Sequence, residues 1–169
     1  MSDDPEDREE PDNLDEPPSF FRFDGEEPER EEVSYGDPVE VTVEGVYHYQ
    51  PETDNKVRQF VVLTDGTRKL PIAIGPFEAQ SIAMALEGER PDRPITHDFI
   101  KNLLERLGVT VDRVLIDDLW SDVFYAKLVL HTEKGEIEVD VRPSDAIAVG
   151  LRCNAPIFVL EGILDSGFA

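Results

Sequence analysis

The sequence has little of what several classes of protein require. Its one cysteine, Cys153, excludes an intramolecular disulfide and the small scaffolds that depend on disulfides. No apolar run approaches 18 residues, so the sequence predicts no membrane-spanning helix. The first ten residues, MSDDPEDREE, lack the basic and apolar regions of a signal peptide. These absences predict a protein of the reduced cytoplasm that does not enter a membrane.

Familiar catalytic and binding motifs are also missing. The chain has no glycine-rich phosphate loop, no dinucleotide-binding GxGxxG and no zinc-ligand spacing. One Cys and three scattered His do not support a nucleophilic triad, and no basic and aromatic patch announces a nucleic acid. The residues by themselves therefore define a domain of unassigned activity.

Basic residues, and lysines above all, are scarce. The chain carries 38 acids against 16 bases, a formal net charge of -22, and only 5 of the bases are Lys. Residues 1–32 hold 15 acids and 3 Arg, so the remainder is still acidic, with 23 acids and 13 bases. At molar salt the Debye length is about 3 Å, which screens such self-repulsion. The composition therefore favours a halophilic protein over a merely acidic mesophilic one.

The sequence divides near residue 35. Residues 1–35 are rich in Pro, Asp and Glu and poor in apolar groups, so this acidic tail is predicted to be disordered. Its exception is SFFRF, where Phe20, Phe21 and Phe23 could anchor a protein partner or the domain itself, or could cluster by chance. Residues 36–169 are predicted to form a single domain.

The body of the chain shows strands interrupted by helices, in the order βββααβββαβ. Apolar and polar residues alternate in the strand segments, and THDFIKNLLERLG carries one apolar stripe between Thr96, the predicted N-cap, and Gly108. Regular βαβ alternation is absent, which favours an α+β domain with a mixed or antiparallel sheet and three helices. The predicted strands are 39–43, 57–64, 69–74, 109–119, 123–132, 136–141 and 156–160, and the predicted helices begin near 75, 96 and 143.

One short pattern occurs twice, each time where a strand runs into a helix. GPFEA and RPSDA both read Pro-x-acid-Ala, which places an acid, Glu78 or Asp145, in the first helical turn. Such an acid is fully explained by the unpaired amides and the dipole of the helix start, at about 0.5–1 kcal/mol each. Arg142 and Asp140 are less easily explained, because an Arg beside two Asp is either an ion pair or a phosphate ligand next to metal-binding carboxylates.

Four blocks of sequence, taken together, resemble the bifunctional nuclease domain family, formerly a domain of unknown function. They are LPIAIGPFEAQSIAMALEG, RPITHDFIKNLLERLG, VFYAKLVL and VRPSDAIAVGLRCNAPIFV, and the resemblance extends over roughly residues 39–164. The chain departs from the family at Ser121-Asp122-Val123, where an Asp-Gly-Thr turn is usual, and at Val141, where Ala is usual. Neither departure removes a functional side chain, and the acidic tail lies outside the pattern.

The resemblance implies a self-associating domain, expected to be a homodimer or larger, with nuclease activity on DNA and RNA. Mg²⁺ or Mn²⁺ would suit such chemistry, because oxygen ligands bind these ions and a bound ion activates water. The candidate catalytic residues are Glu78, His97, Asp98, Arg142 and Asp145, and the candidate metal ligands are Asp117, Asp140 and Asp145.

Structural explanations compete with these assignments. His97 is either a general base or acid or an exposed residue at the first helical position, and Asp117 with Asp118 could only end a strand. The same polar residues would also suit a regulatory or binding module without catalysis. A third interpretation is a small-ligand pocket near Trp120, Phe124 and Tyr125.

Overall fold

The computed structural model describes residues 33–51 and 56–167 of the chain. Strand β1 is followed by β2, β3, α1, α2, β4, β5, β6, α3, β7 and α4. The elements span Pro38–Tyr49 (β1), Arg58–Thr64 (β2), Lys69–Ile74 (β3), Pro76–Glu87 (α1), Thr96–Arg106 (α2), Thr110–Trp120 (β4), Val123–Thr132 (β5), Gly135–Val141 (β6), Pro143–Cys153 (α3), Ile157–Leu160 (β7) and Glu161–Leu164 (α4).

The predicted α+β class and element order are confirmed, with one short helix added. α4 follows β7 directly and buries Ile163 and Leu164. A single helical turn is too short to produce a recognisable apolar period, so the sequence did not predict it. The disorder of the acidic tail, the role of its three Phe and the domain boundary at residues 36–169 stay predictions. They depend on residues that lie largely outside the described part of the chain.

The start of α2 corrects the predicted cap. Thr96 is the first helical residue, and the N-cap position belongs to Ile95, which has no side-chain acceptor. Asp98 makes the reciprocal bond of a capping box, because its Oδ2 accepts the backbone N–H of Ile95 at 3.1 Å. At its other end the helix stops as expected, with Gly108 in the left-handed region at φ +69°.

The seven strands found among the described residues form one mixed sheet in the order β3-β2-β1-β7-β4-β5-β6. Neighbouring strands are antiparallel except for β4 and β7, which are parallel. Bulges interrupt the β4–β5 register, one of them between Ile116 and Asp118, so Asp117 has no partner directly opposite it. The sheet therefore ends at two edge strands, β3 and β6.

The core lies between one face of this sheet and the helices. Val61 and Leu63 of β2, Val114 and Ile116 of β4 and Ile147 of α3 are all fully buried. α3 packs closely on β4, because Gly150 leaves room that a side chain would fill: a Cβ there would lie 2.6 Å from Cγ2 of Val114. This close packing fixes α3, and with it the start of that helix, against the middle of the sheet.

Helices α1 and α3 begin directly after the edge strands β3 and β6. Each has Pro at its first position, as the repeated Pro-x-acid-Ala pattern predicts. The two helices also pack on each other, and α2 packs on α3. Consequently residues from three helix starts, far apart in sequence, lie close together.

Candidate functional site

The guanidinium of Arg142 is the centre of a cluster that joins α1 to α3. Its Nε donates to Oδ2 of Asp145 at 2.7 Å, and its Nη2 donates to Oδ1 of Asp145 at 3.2 Å and to Oε1 of Glu78 at 2.9 Å. The Arg142 side chain nevertheless remains 66% exposed. Two carboxylates therefore hold a cation in a fixed orientation while leaving it open to solvent.

His97 supports this cluster from the protein interior. Its Nε2 lies 3.1 Å from Oδ1 of Asp145, and its Nδ1 lies 2.8 Å from Oγ of Ser81 on α1. A carboxylate only accepts, so Nε2 carries a proton and donates it, whereas Nδ1 can accept the Ser81 hydroxyl. The histidine is buried, so the interpretation of His97 as an exposed residue at the first helical position is wrong.

The environment of Asp145 favours its ionised form. Burial by itself would raise the pKa of the carboxyl, but hydrogen bonds from Arg142 and His97, together with the charge of Arg142, outweigh burial and lower the pKa. Asp145 is therefore a fixed anion at neutral pH, which suits it to orienting Arg142 rather than to exchanging protons.

Glu78 lies folded back over the start of its own helix. A Cβ built on Gly75 would lie within 2.3 Å of Oε2 of Glu78, so the absence of a side chain at position 75 makes room for this carboxylate. The helix-dipole explanation predicted for Glu78 and Asp145 is thus only part of their structural role, because each also contacts another helix through Arg142 or His97.

Asp98 belongs to a neighbouring ion pair and not to the Arg142 cluster. Its Oδ1 accepts from Nε of Arg152 at 2.6 Å, and Arg152 also donates to the Ala148 carbonyl at 2.9 Å. Burial opposes ionisation of Asp98, but the hydrogen bonds from Arg152 and from the Ile95 amide lower its pKa below the ordinary value. Asp98 therefore anchors the first turn of α2 to α3.

The structure does not bring the three candidate metal ligands together. Asp117 pairs with Lys127 at 2.9 Å, and Asp140 lies opposite Lys127 in the β5–β6 register, on the sheet face opposite Ala126 and the core. Asp145 lies instead among the helix starts. Within residues 33–51 and 56–167, no three His, Cys, Asp or Glu side chains are grouped so as to hold a metal ion.

The Arg142 cluster does not fit a divalent ion as it is arranged. The guanidinium occupies the space between the carboxylates of Glu78 and Asp145, which is the space an ion bridging the two would need. A cation is already supplied there by the chain itself. The residues present thus form an anion-facing site more readily than a metal centre.

A cleft opens beside Arg142. It has a volume of about 540 Å³. The edge strand β3 and the start of α1 form one side of it, and the β4–β5 turn and the start of α3 form the other. Its lining comprises Phe60, Pro71, Ile72, Ala73, Ile74, Gly75, Asp122, Val123, Phe124, Arg142, Pro143 and Ser144. Of the cluster, Arg142 thus borders a largely apolar cleft.

Three members of this region were not predicted as functional from the sequence. Ser81 lies 16 residues from His97, and Ser144 and Arg152 lie in α3. A helical period does place Ser81 one turn after Glu78, but nothing local indicates that it meets a histidine. Only the packing of α1, α2 and α3 reveals these contacts.

Fold and site together define an α+β domain with a positively charged group held at the edge of a cleft. A comparison with family models matches residues 61–167 to the bifunctional nuclease domain. An uncharacterised protein of Mycobacterium tuberculosis is 41% identical over 125 residues, which cover 74% of this chain and 73% of that protein. The chain therefore belongs to the bifunctional nuclease domain family.

Plant relatives carry the family's name but match over a shorter stretch. Bifunctional nuclease 1 of Oryza sativa subsp. indica is 34% identical over 93 residues, 53% of this chain and 28% of the plant protein. Bifunctional nuclease 2 of Arabidopsis thaliana is 29% identical over 101 residues, 57% of this chain and 31% of that protein. Among the described residues, no helix is long and apolar enough to cross a membrane.

Proposed function

We propose that this protein is a nuclease that hydrolyses phosphodiester bonds in DNA and RNA, with Arg142 as the group that binds the scissile phosphate. Membership of the bifunctional nuclease domain family supports the reaction class. The observation that carries the assignment is the exposed guanidinium, fixed by carboxylates from two helices at the mouth of a cleft.

Arg142 has donors to spare for a phosphate. Its hydrogen bonds to Asp145 and Glu78 use Nε and Nη2, and no bond from Nη1 is found within the described residues. A guanidinium carries five N–H donors, so the two on Nη1 could bind phosphate oxygens. Charge that develops on the phosphate in the transition state would then meet a cation that needs no reorganisation.

His97 acts as a positioning residue in this proposal. Both ring nitrogens are already engaged, with Asp145 and Ser81, and neither is directed to solvent. It therefore holds Asp145, which in turn holds Arg142. Glu78 bonds Arg142 through Oε1, which leaves its other carboxylate oxygen outside these contacts. We assign Glu78 the role of orienting the attacking water.

The test is cleavage of labelled single-stranded DNA and RNA by purified protein in molar KCl, with Mg²⁺, Mn²⁺ or a chelator. Wild type should cleave both, and Glu78→Gln should cut the rate at least tenfold with the fold preserved. Glu89→Gln, a change on an exposed loop residue, is the matched control and should leave the rate unchanged. The chelator arm tests the expected Mg²⁺ or Mn²⁺, which stays a prediction; no cleavage by folded wild type under any of these conditions would contradict the proposal.

The alternative is a regulatory or binding module without catalysis. It is favoured by the internal pairing of Arg142, Asp145 and His97, since such contacts could simply tie three helix starts together. Absence of cleavage together with a large loss of stability in Arg142→Ala would support that alternative. Self-association as a homodimer or larger and a partner for Phe20, Phe21 and Phe23 also remain predictions.

A further inference from the structure

We propose that the cleft beside Arg142 binds an unpaired nucleic-acid base, so that the substrate is single-stranded DNA or RNA. This inference rests on the proposed function in one respect, the binding of phosphate by Arg142. It adds the part of the substrate that the cleft itself recognises.

The walls of the cleft suit a flat aromatic ring. Phe60 of β2 and Phe124 of β5 both line it, and Ile72 and Ile74 of β3 add aliphatic surface. Its volume of about 540 Å³ lies within the range of small-molecule sites. Aromatic side chains bind single-stranded nucleic acids by stacking on the bases, which is sequence-tolerant because every base has a π-face.

The polar groups in the lining suit an anion attached to that ring. They include the Arg142 guanidinium and the hydroxyl of Ser144, a residue that is only 7% exposed. Ser144 stands in the first turn of α3, where Pro143 has no N–H and the N–H of Asp145 already donates to the Arg142 carbonyl at 3.1 Å. A polar hydroxyl and a guanidinium held by two carboxylates therefore both border the cleft.

The combination of aromatic walls and an anion-binding guanidinium selects a nucleotide unit. A base within a duplex is paired and stacked, and bringing it into a cleft costs a few kcal/mol of unstacking and unpairing. Stacking does not depend on the sugar, so one cleft could serve both DNA and RNA.

The test measures binding without requiring cleavage. Wild type is titrated with a fluorescein-labelled single-stranded hexathymidylate in molar KCl that contains a chelator. An abasic chain of equal length and a hexamer duplex serve as competitors. Phe124→Leu and Phe60→Leu keep apolar bulk and remove the ring. Phe99→Leu is the matched control, because Phe99 is 58% exposed on α2 and does not line the cleft.

Wild type should prefer the hexathymidylate over both the abasic chain and the duplex by roughly fivefold or more, and each cleft variant should lose about that factor. The inference would be overturned if the thymidylate and abasic chains bound equally well, or if both cleft variants kept the wild-type affinity. A loss of affinity in Phe99→Leu equal to that in the cleft variants would also overturn it. Loss of self-association instead of thymidylate binding in the cleft variants would also overturn it, because the cleft would then be an interface between copies. Cleavage with unaltered binding in the variants would overturn this inference alone, whereas binding without cleavage would contradict only the proposed function.

Discussion

Two clusters in this protein have nearly the same composition and different surroundings. In the helix-start cluster, Arg142 lies between Glu78 and Asp145, at 2.9 and 2.7 Å. In the sheet-face cluster, Lys127 lies between Asp117 and Glu138, at 2.9 and 3.1 Å. Each cluster is one cation between two carboxylates, so residue type alone does not distinguish them.

What distinguishes the clusters is where their members come from and what lies behind them. The sheet-face cluster joins three adjacent strands through neighbouring positions, and hydrogen bonds to Asp117 and Glu138 raise the pKa of Lys127. Glu78 lies 64 residues from Arg142, and the helix-start cluster is backed by buried His97 and fronted by a cleft. An ion pair on an acidic surface needs neither feature, which is why we assign function to the helix starts.

The largest expected effect separates the two cations. Arg142→Ala should lower the single-turnover cleavage rate at least about 100-fold, the cost typical of losing a preorganised transition-state donor. Lys127→Ala, measured beside it on the same labelled strand, should stay within about twofold of wild type. Comparable losses in the two variants would show that general charge, rather than the helix-start cluster, governs the rate.

The next effect concerns the buried layer behind the helix-start cluster. His97→Ala should destabilise the fold by about 2 kcal/mol, because it leaves the buried Ser81 hydroxyl without its imidazole partner and Asp145 without its donor. His131→Ala, at an exposed position of β5, should change stability by less than about 0.5 kcal/mol. Urea unfolding in molar KCl measures both, and equal stability of the two variants would remove the supporting role of His97.

Acid should weaken the helix-start cluster in a defined direction. Burial opposes ionisation of Asp145, yet Arg142 and His97 lower its pKa, so its contribution to stability is present above the unfolded value of about 3.9 and is lost as pH falls below it. The stability difference between wild type and Asp145→Asn should therefore shrink as pH falls from 5 to 3. Denaturation curves at a series of pH values provide the measurement, and a difference that grows on acidification would have the wrong sign.

Salt should have the smallest effect, and mainly on the sheet-face cluster. The Lys127 pairs are partly exposed, so Lys127→Ala should cost about 0.2–1 kcal/mol in dilute buffer and less in molar KCl. Wild type itself should become more stable over the same range, as its net charge of -22 predicts. Thermal melts that coincide in dilute buffer and molar KCl would argue against the halophilic interpretation.

The sequence predicted local structure well because local structure depends on local patterns. Alternation in IEVDV and the Pro-x-acid-Ala starts placed β6, α1 and α3 to within about two residues. Thr96 was assigned the wrong role because the helix already begins at Thr96, so that Ile95 is the N-cap and Asp98, three residues after Ile95, accepts its backbone N–H.

The candidate site was predicted only in part, because its contacts depend on tertiary packing. Glu78, His97, Arg142 and Asp145 do converge, whereas Asp98 pairs with Arg152. Asp117 and Asp140 were grouped with Asp145 because all three are acidic. Their positions in strands β4 and β6 place them on the face of the sheet opposite the core. Of the small-ligand pocket interpreted near Trp120, Phe124 and Tyr125, only Phe124 lines the cleft, because the other walls come from strands β2 and β3 and from two helix starts that are distant in sequence.

The most direct test compares Asp145→Asn with Asp117→Asn, the same change of one carboxylate beside one cation in the two clusters. Single-turnover cleavage of labelled single-stranded RNA is measured in molar KCl, and thermal melts confirm that both variants are folded. The helix-start assignment predicts a loss of at least about 100-fold for Asp145→Asn and less than about twofold for Asp117→Asn. Cleavage by folded Asp145→Asn at the wild-type rate would contradict the assignment. A loss of rate in Asp117→Asn as large as that in Asp145→Asn would also contradict it.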